Sequence, residues 1–181
     1  MNLYYMGVYQ YRGNWLEIFK SEDLSSIGFF KRSTIREIFP FISKNLITRI
    51  QDGPIYQIEH EGYWCHLARW EDTAVTIITD RNYPYQVASR LVRQTMGFGK
   101  LTNQDLCNLH KTYQKPEQAD KIYQVSQKLN KTTEVIRQTV DQVLERGTKL
   151  EDLVEKSDSL SQQSKIFYKT SKKMNRCCII S

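Results

Sequence analysis

Long hydrophobic runs are missing from this sequence of 181 residues, because its apolar stretches are interrupted after a few positions. A helix that crosses a membrane needs roughly 18 consecutive apolar residues. The first residues, MNLYYMGVYQYRGNW, also lack the basic start, apolar core and small-residue cleavage site of a secretory signal. We therefore expect neither a transmembrane helix nor a signal peptide.

Cysteine is scarce as well, with four in the chain. Cys65 and Cys107 stand alone, while Cys177 and Cys178 are adjacent near the C-terminus, and this spacing does not suggest a framework of disulfides. A reducing compartment such as the cytosol fits the pattern best.

Acidic residues are absent after Asp158, although the chain has a formal net charge of +6. The basic residues in that last stretch are Lys165, Lys169, Lys172, Lys173 and Arg176. Positive charge concentrated beside a terminus suits an anionic lipid surface. The sequence shows no zinc-finger spacing, RNA-recognition signature or row of arginines among aromatics, so we expect no nucleic-acid partner.

Metal-binding and nucleophile patterns are also lacking. The stretch HEGYWCH, residues 60–66, contains two histidines and a cysteine. Successive side chains of a strand point to opposite faces, so Cys65 and His66 do not converge on one ligand. We interpret the cysteine as structural and the two histidines as partly exposed, and we predict no metal site.

The stretch GFGK, residues 97–100, differs from a phosphate-binding loop at two positions. Leu101 stands where that loop has Ser or Thr, and Gln94 stands where it has a Gly. Glycines that end a helix explain the stretch better. The sequence therefore predicts no enzyme and no noncovalent cofactor.

Residues 1–115 have the composition of a folded domain, because all three Trp and most other aromatics precede YQKPEQAD at 113–120. Branched and aromatic residues predict strands in LYYMGVYQY, WLEIFK, PIYQIEHEG, YWCHLARW and TAVTIITD. Helical spacing predicts a helix in STIREIFPFISKNLITRI, capped by Ser33 and disturbed at Pro40. Two more helices are predicted in PYQVASRLVRQTM and TNQDLCNLHKTYQ. This order of elements predicts an α+β domain.

Residues 118–176 carry a repeat typical of coiled coils. Steps of three and four residues connect positions from Ile122 to Met174, and the apolar ones are Ile122, Val125, Leu129, Ile136, Val143, Leu150, Leu153, Leu160, Phe167 and Met174. A repeat of 3.5 residues sustained this far predicts a long helix whose apolar seam meets partner helices. The alternative is a long surface helix packed on its own domain.

Arg146 interrupts the apolar seam. An unpaired guanidinium in such a seam would cost several kcal/mol, so we expect it to meet acceptors on partner helices and to fix their register. Gly147 follows and costs roughly 1 kcal/mol in a helix relative to Ala. The segment is therefore expected to be poorly helical alone and to fold with its partners.

The last five residues, CCIIS at 177–181, fit the C-a-a-X pattern, in which the cysteine is prenylated and a final Ser usually selects farnesyl. We therefore predict Cys178 as the site of a covalent isoprenoid. One lipid chain gives only reversible attachment, so a second signal is expected. Cys177 could carry a palmitoyl or a second prenyl group, and the basic residues add attraction to the membrane surface.

The stretch VLERGTKLEDLVEKSDSL, residues 143–160, closely resembles the centre of an R-SNARE motif, with Arg146 where that family has its ionic-layer arginine. The segments GVYQYRGNWLEIF, GFFKRSTI and AVTIITDRNYPYQVASRL resemble a longin domain. With a terminal double cysteine in place of a transmembrane anchor, the whole chain resembles the prenylated longin R-SNAREs of the synaptobrevin-like family.

This resemblance implies that Arg146 faces glutamines from three Q-SNARE helices in a parallel four-helix bundle that draws a vesicle and its target membrane together. It also implies a longin, or profilin-like, domain with a five-stranded antiparallel sheet between helices. Such a domain can fold back on its own SNARE segment, and the candidate surface here includes Phe39 and Phe41, taken as exposed residues of the first helix.

The resemblance further implies that the protein cycles between the cytosol and the cytoplasmic face of Golgi, endoplasmic-reticulum, endosomal or vesicle membranes. A prenylated longin adaptor without fusion activity is the alternative function. Such an adaptor would not need Arg146 in register with a full-length seam.

Overall fold

Five antiparallel strands form the centre of the N-terminal domain. The computed structural model of the chain describes residues 1–97, 101–119, 134–144 and 148–177, with side chains described up to residue 171. The elements of the N-terminal domain are β1 (Leu3–Tyr11), β2 (Trp15–Glu22), α1 (Phe29–Ile47), β3 (Ile55–His60), β4 (Tyr63–Trp70), β5 (Thr73–Asp80), α2 (Tyr85–Gly97) and α3 (Asn103–Tyr113). The sequence predictions for these five strands and three helices are confirmed.

Tight turns connect β1 to β2, β3 to β4 and β4 to β5. Glu61 and Gly62, between β3 and β4, both have positive φ, at 47° and 92°. Two consecutive residues of this kind form a turn whose twist matches that of antiparallel strands. Strand β5 then pairs with β1. The hairpin of β1 and β2 therefore lies next to β5, at the edge of the sheet away from β4 and β3.

The other described residues form four short elements: β6 (Val135–Thr139), α4 (Val140–Val143), α5 (Leu150–Lys156) and α6 (Gln162–Cys177). Strand β6 pairs in parallel with β3, and the complete order is β2-β1-β5-β4-β3-β6. The expected five-stranded antiparallel sheet is therefore that of the N-terminal domain alone. A sixth, parallel strand comes from the C-terminal part of the chain.

Helices cover both faces of the sheet, and each face has its own apolar cluster. One cluster joins α2 and α3 to side chains of β1, β3, β4 and β5. The other joins α1 to the opposite face of the strands and also contains buried side chains of α4, α5 and α6. The C-terminal part therefore contributes to the same core as α1.

The long helix expected over 118–176 is not present as one element in the described residues. Strand β6 and three separate helices occupy that region, and some of the apolar side chains there are buried in the cluster that also contains α1. The physical reason is that an apolar seam without partner helices lowers its free energy by burial on another surface. Within the described ranges, none of the helices combines the length and hydropathy needed to cross a membrane.

Helix α1 differs from its prediction at two places. It begins at Phe29 rather than after Ser33, because the exposed side chains of its first turn give no apolar periodicity. It also continues through Pro40 without a break. The proline removes one backbone donor, but Phe39 and Ile42 on either side are each only 4% exposed and hold the helix on the sheet.

Candidate functional site

The edge of strand β3 receives the first described element of the C-terminal part. Val135–Thr139 pairs with Ile55–Glu59 in register, and the backbone N–H of Ile55 donates to the carbonyl of Glu134 at 2.9 Å. An uncovered edge strand presents unpaired N–H and C=O groups. Strand β6 satisfies those groups on β3, and it does so with residues that belong to the predicted seam segment.

Side-chain contacts reinforce this pairing on the face covered by α2. Arg137 lies opposite Gln57 in the register, and its Nε donates to the Gln57 Oε1 at 3.1 Å. The Arg137 guanidinium also lies 4.4 Å from the centroid of the Tyr85 ring, at the start of α2. A cation over an aromatic face adds an attraction of about 0.5–1 kcal/mol at exposed sites.

Helices α4 and α5 dock through buried apolar side chains. Val140 and Leu144 are 3% and 4% exposed, while Leu150 and Val154 are 2% and 0% exposed. All four belong to the cluster that contains the buried face of α1. Burying an aliphatic side chain of this size contributes about 1.5–3 kcal/mol, so these contacts dominate the docking.

Helix α6 docks through an aromatic side chain with a polar end. Tyr168 is 3% exposed, and its ring stacks on that of His60 with the two ring centroids 5.9 Å apart. Its hydroxyl oxygen lies 3.0 Å from His60 Nε2. Burial raises the pKa of Tyr168, so its hydroxyl stays protonated. The adjacent Phe167 ring lies 5.9 Å from the ammonium nitrogen of Lys31 on α1.

A polar contact holds the start of α6 on α1. The backbone N–H of Ser161 donates to Glu37 Oε2 at 2.9 Å, and this hydrogen bond lowers the pKa of Glu37. Within the folded-back part, Lys169 forms an ion pair of 2.9 Å with Glu155. This ion pair is exposed and lies within one part of the chain, so it contributes little to docking, whereas the Glu37 carboxylate connects the two parts.

The docked arrangement buries some of the predicted seam residues and leaves others partly exposed. Leu150 and Leu160 are buried, whereas Ile136, Val143, Leu153 and Phe167 are partly exposed. Other predicted positions, namely Ile122, Val125, Leu129, Arg146 and Cys178, lie outside the described residues, as do the side chains of Met174 and Cys177. The burial of Leu150 and Leu160 means that the seam cannot receive partner helices there while the segment stays docked.

A second row of buried side chains was missed by the sequence analysis. Val140, Val154 and Tyr168 are spaced two heptads apart, and they directly follow three positions of the repeat, Thr139, Leu153 and Phe167. Their regular spacing is visible in the sequence, although the coiled-coil pattern alone gives no surface for them to meet. In the structure they meet the N-terminal domain.

The two phenylalanines predicted for the fold-back surface have different environments. Phe39 is 4% exposed and packs against the rings of Tyr4, Tyr5 and Tyr63, so it lies in the core rather than on an exposed surface. Phe41 is partly buried and packs against the cluster that includes the docked side chains. Of the two, Phe41 alone is partly exposed, so it stays the candidate for the fold-back surface.

The residues of HEGYWCH diverge as the strand geometry predicts. Cys65 is buried in the cluster beneath α1, whereas His66 faces the α2 side and lies 3.1 Å from Thr79 Oγ1 through its Nε2. Among the described residues there is no group of three or more side chains able to hold a metal ion. His66 itself is 1% exposed, so the expectation that both histidines are partly exposed is wrong for it.

Residues 121–180 match the family model described as Synaptobrevin. The chain is 36% identical to the Synaptobrevin homolog YKT6 of Yarrowia lipolytica over 199 aligned positions, which cover 99% of this chain and 100% of that protein. It is 37% identical to the Saccharomyces cerevisiae homolog over the same shares of both chains. A solved structure of the yeast R-SNARE Nyv1p, described as a longin domain protein, has a TM-score of 0.46 and 18% identity over 72% of this chain and 97% of that one.

Proposed function

Because the chain belongs to the family of Synaptobrevin homologs YKT6, we propose that it acts as an R-SNARE in vesicle transport and membrane fusion. In this role, residues 118–176 leave the N-terminal domain and form one helix in a parallel bundle with three Q-SNARE helices. Arg146 occupies the polar layer of that bundle and meets glutamines of the partners. The bundle assembles from its N-terminal end toward the C-terminus, and this draws the two membranes together. No covalent bond is made or broken.

The observation that supports this proposal is that one segment has the sequence of a coiled-coil helix and is also buried on the N-terminal domain. Its sequence repeats with the period of a coiled coil, yet Leu150 and Leu160 of that repeat are buried on the N-terminal domain. The same apolar groups cannot be buried in both arrangements at once. The N-terminal domain and the Q-SNARE helices therefore compete for the segment, and release from the domain precedes assembly.

Attachment to the membrane is part of the proposal and is supported by the terminal sequence. Cys178 carries an isoprenoid, and Cys177 carries a second lipid, a palmitoyl or another prenyl group. The lysines and arginine before them add electrostatic attraction to anionic lipids. With the isoprenoid alone, the protein exchanges between the cytosol and the cytoplasmic face of transport membranes, because a single lipid chain binds reversibly, and addition of the second lipid makes the attachment stable.

Assembly of the full chain with three Q-SNARE helices tests the proposal. Formation of a stoichiometric four-helix complex is expected, measured by gain of helical circular dichroism and by size-exclusion chromatography. Arg146→Leu should weaken discrimination between matched and mismatched Q-SNARE sets more than it weakens the complex, because replacing a buried ionic group by an apolar one is often neutral or stabilising. Failure of any Q-SNARE set to assemble would favour an adaptor without fusion activity.

A further inference from the structure

Two adjacent phenylalanines at the start of α1 are largely exposed to water. Phe29 and Phe30 are 75% and 88% exposed, the highest values among the large apolar side chains of the residues that the structure describes. Their rings meet edge to face with centroids 5.6 Å apart, so they form one continuous apolar surface. Single exposed apolar side chains are common on folded proteins, whereas contiguous exposed apolar surface marks binding sites. A binding partner therefore explains the pair best.

Packing of the core does not account for this pair. The buried side chains of α1 begin at Thr34, beyond its first turn. Gly28 precedes the helix and supplies no side-chain cap. The first turn of α1 thus places two aromatic rings in water without adding a buried side chain to the domain, and such exposure is unfavourable.

The residues that follow the pair are positively charged. Lys31 and Arg32 come directly after it, and the first turn of α1 contains no acidic residue. The Lys31 ammonium lies over the Phe167 ring, and the Arg32 guanidinium donates to the backbone carbonyls of Ser25 and Ile27. These acceptors carry no net charge, so they do not neutralise the two cations.

The carboxylates closest to the pair along the chain are engaged in other contacts. Glu22 forms an ion pair with Arg36. Asp23 accepts from the backbone N–H of Ser25 at 3.0 Å. Glu37, farther along α1, accepts from the first residue of the docked α6 segment at 2.9 Å. An anionic partner can therefore approach Lys31 and Arg32 at the start of the helix.

Helix α6 brings further positive charge to this end of α1. Ser161, before the helix, contacts Glu37, and Phe167 lies beside Lys31, which comes earlier on α1. Helix α6 therefore runs antiparallel to α1, and it continues from Phe167 to Cys177, roughly 15 Å at 1.5 Å per residue. That stretch has no acidic residue, and its basic residues are Lys169, Lys172, Lys173 and Arg176.

We propose that Phe29 and Phe30 insert into the surface of an anionic lipid bilayer while the segment is docked. The two rings enter the boundary between headgroups and acyl chains, and Lys31 with the basic residues of α6 meets the anionic headgroups. A bilayer is favoured over a protein partner because aromatic rings beside cations suit this boundary. It is also favoured because α6 directs the C-terminal tail toward the same end of α1.

This contact depends on the docked arrangement and requires neither Q-SNARE helices nor a covalent lipid. The full chain without lipid modification should therefore bind anionic vesicles by itself. A lipidated tail would add to this binding, because two attachments on one chain act together. The N-terminal domain then lies against the membrane rather than hanging from the tail alone.

Sedimentation of the unlipidated full chain with vesicles tests the contact. The vesicles are phosphatidylcholine alone and phosphatidylcholine mixed with phosphatidylserine. We expect binding to the mixed vesicles that weakens as salt rises. Phe30→Ser should lower the partition coefficient about tenfold, since full burial of a phenylalanine side chain changes partition by about 10- to 100-fold and insertion here is partial.

Trp70→Ser is the matched control. Trp70 is 60% exposed, and its pairing with Thr73 places it at the end of the sheet away from the start of α1. This variant should bind vesicles as the unmodified chain does. In a separate measurement, Phe30→Trp should be quenched by phosphatidylcholine with brominated acyl chains more strongly than the unmodified chain, because the added indole enters the bilayer.

Three results would overturn the proposal. The first is absence of binding to the mixed vesicles, or equal binding by Phe30→Ser and Trp70→Ser. The second is self-association of the unmodified chain that Phe30→Ser abolishes and vesicles leave unchanged, which would assign the pair to a second copy. The third is a blue shift of Phe30→Trp fluorescence on prenylation without vesicles, which would assign it to the chain's own isoprenoid. The vesicle experiment contains no Q-SNARE and no covalent lipid, so its failure leaves the R-SNARE function and the lipid anchor untouched.

Discussion

Replacing Val154 by alanine is expected to loosen the docked segment without altering the seam. Val154 is 0% exposed in the cluster shared with α1, and it lies one residue beyond the seam position Leu153. The substitution removes about 1.6 kcal/mol of transfer free energy at about 0.8 kcal/mol per methylene. A residual cavity brings the total to about 2 kcal/mol. Release should therefore become about 30-fold more frequent.

Native-state hydrogen exchange measures this change, and Val92→Ala is the matched control. Val92 is also 0% exposed but lies on α2 in the other cluster. Val154→Ala should speed exchange of the amides of α5 and α6 about 30-fold, because it destabilises the docked state relative to every released state. Val92→Ala should speed exchange of the most protected amides of the N-terminal domain but not of α5 and α6, since it destabilises that domain whether or not the segment is docked.

Two results would refute this reasoning. If Val154→Ala changed exchange of α5 and α6 by less than twofold, Val154 would not be buried against the domain in solution. If Val92→Ala sped exchange of α5 and α6 as much as Val154→Ala, the segment would open only by global unfolding. With the expected result, Val154→Ala should also assemble faster with Q-SNARE helices, because its seam is intact.

Three further predictions concern the docking contacts and the tail. Phe41→Ser should speed exchange of α6 about tenfold by removing half-buried apolar area, and an unchanged rate would assign Phe41 to the domain alone. The hydrogen bond from Ser161 lowers the pKa of Glu37 below 4.5, so its stabilisation is present above that pH and is lost as the pH falls through the lowered pKa. The thermal midpoint of Glu37→Gln should lack this part of the pH dependence, and identical profiles would argue against the contact. In cell fractionation, membrane association should rank the unmodified chain above Cys177→Ser and that variant above Cys178→Ser, with Cys177→Ser most sensitive to salt, and firm attachment of Cys178→Ser would contradict the lipid anchor.

The N-terminal domain shows how far local sequence patterns determine a fold. Alternation of branched and aromatic residues located all five of its strands, and Glu61 with Gly62 form the kind of turn that joins antiparallel neighbours. The alternation of side chains along a strand also predicted correctly that Cys65 and His66 lie on opposite faces of the sheet. These features depend on residues close together in the chain, whose steric and hydrogen-bonding preferences act before any distant contact forms.

Long-range packing decided what those patterns could not. The start of α1 at Phe29 carries no apolar periodicity, and Pro40 is tolerated because its neighbours Phe39 and Ile42 are anchored on the sheet. The burial of His66 arises because β4 lies between β3 and β5 and because α2 covers that face of the sheet. No stretch of sequence around His66 contains that information, since the enclosing residues are distant in the chain.

The C-terminal segment shows most clearly which properties the sequence determines and which the tertiary structure determines. Its sequence alone determined an apolar repeat of 3.5 residues with Arg146 inside it, and hence a capacity for helical bundles. Only the tertiary structure decided that Leu150, Val154, Leu160 and Tyr168 are buried on the N-terminal domain, with β6 added to its sheet. The physical reason is that hydrophobic burial has no direction: the repeat specifies which side chains leave water, and the available surface determines where they go.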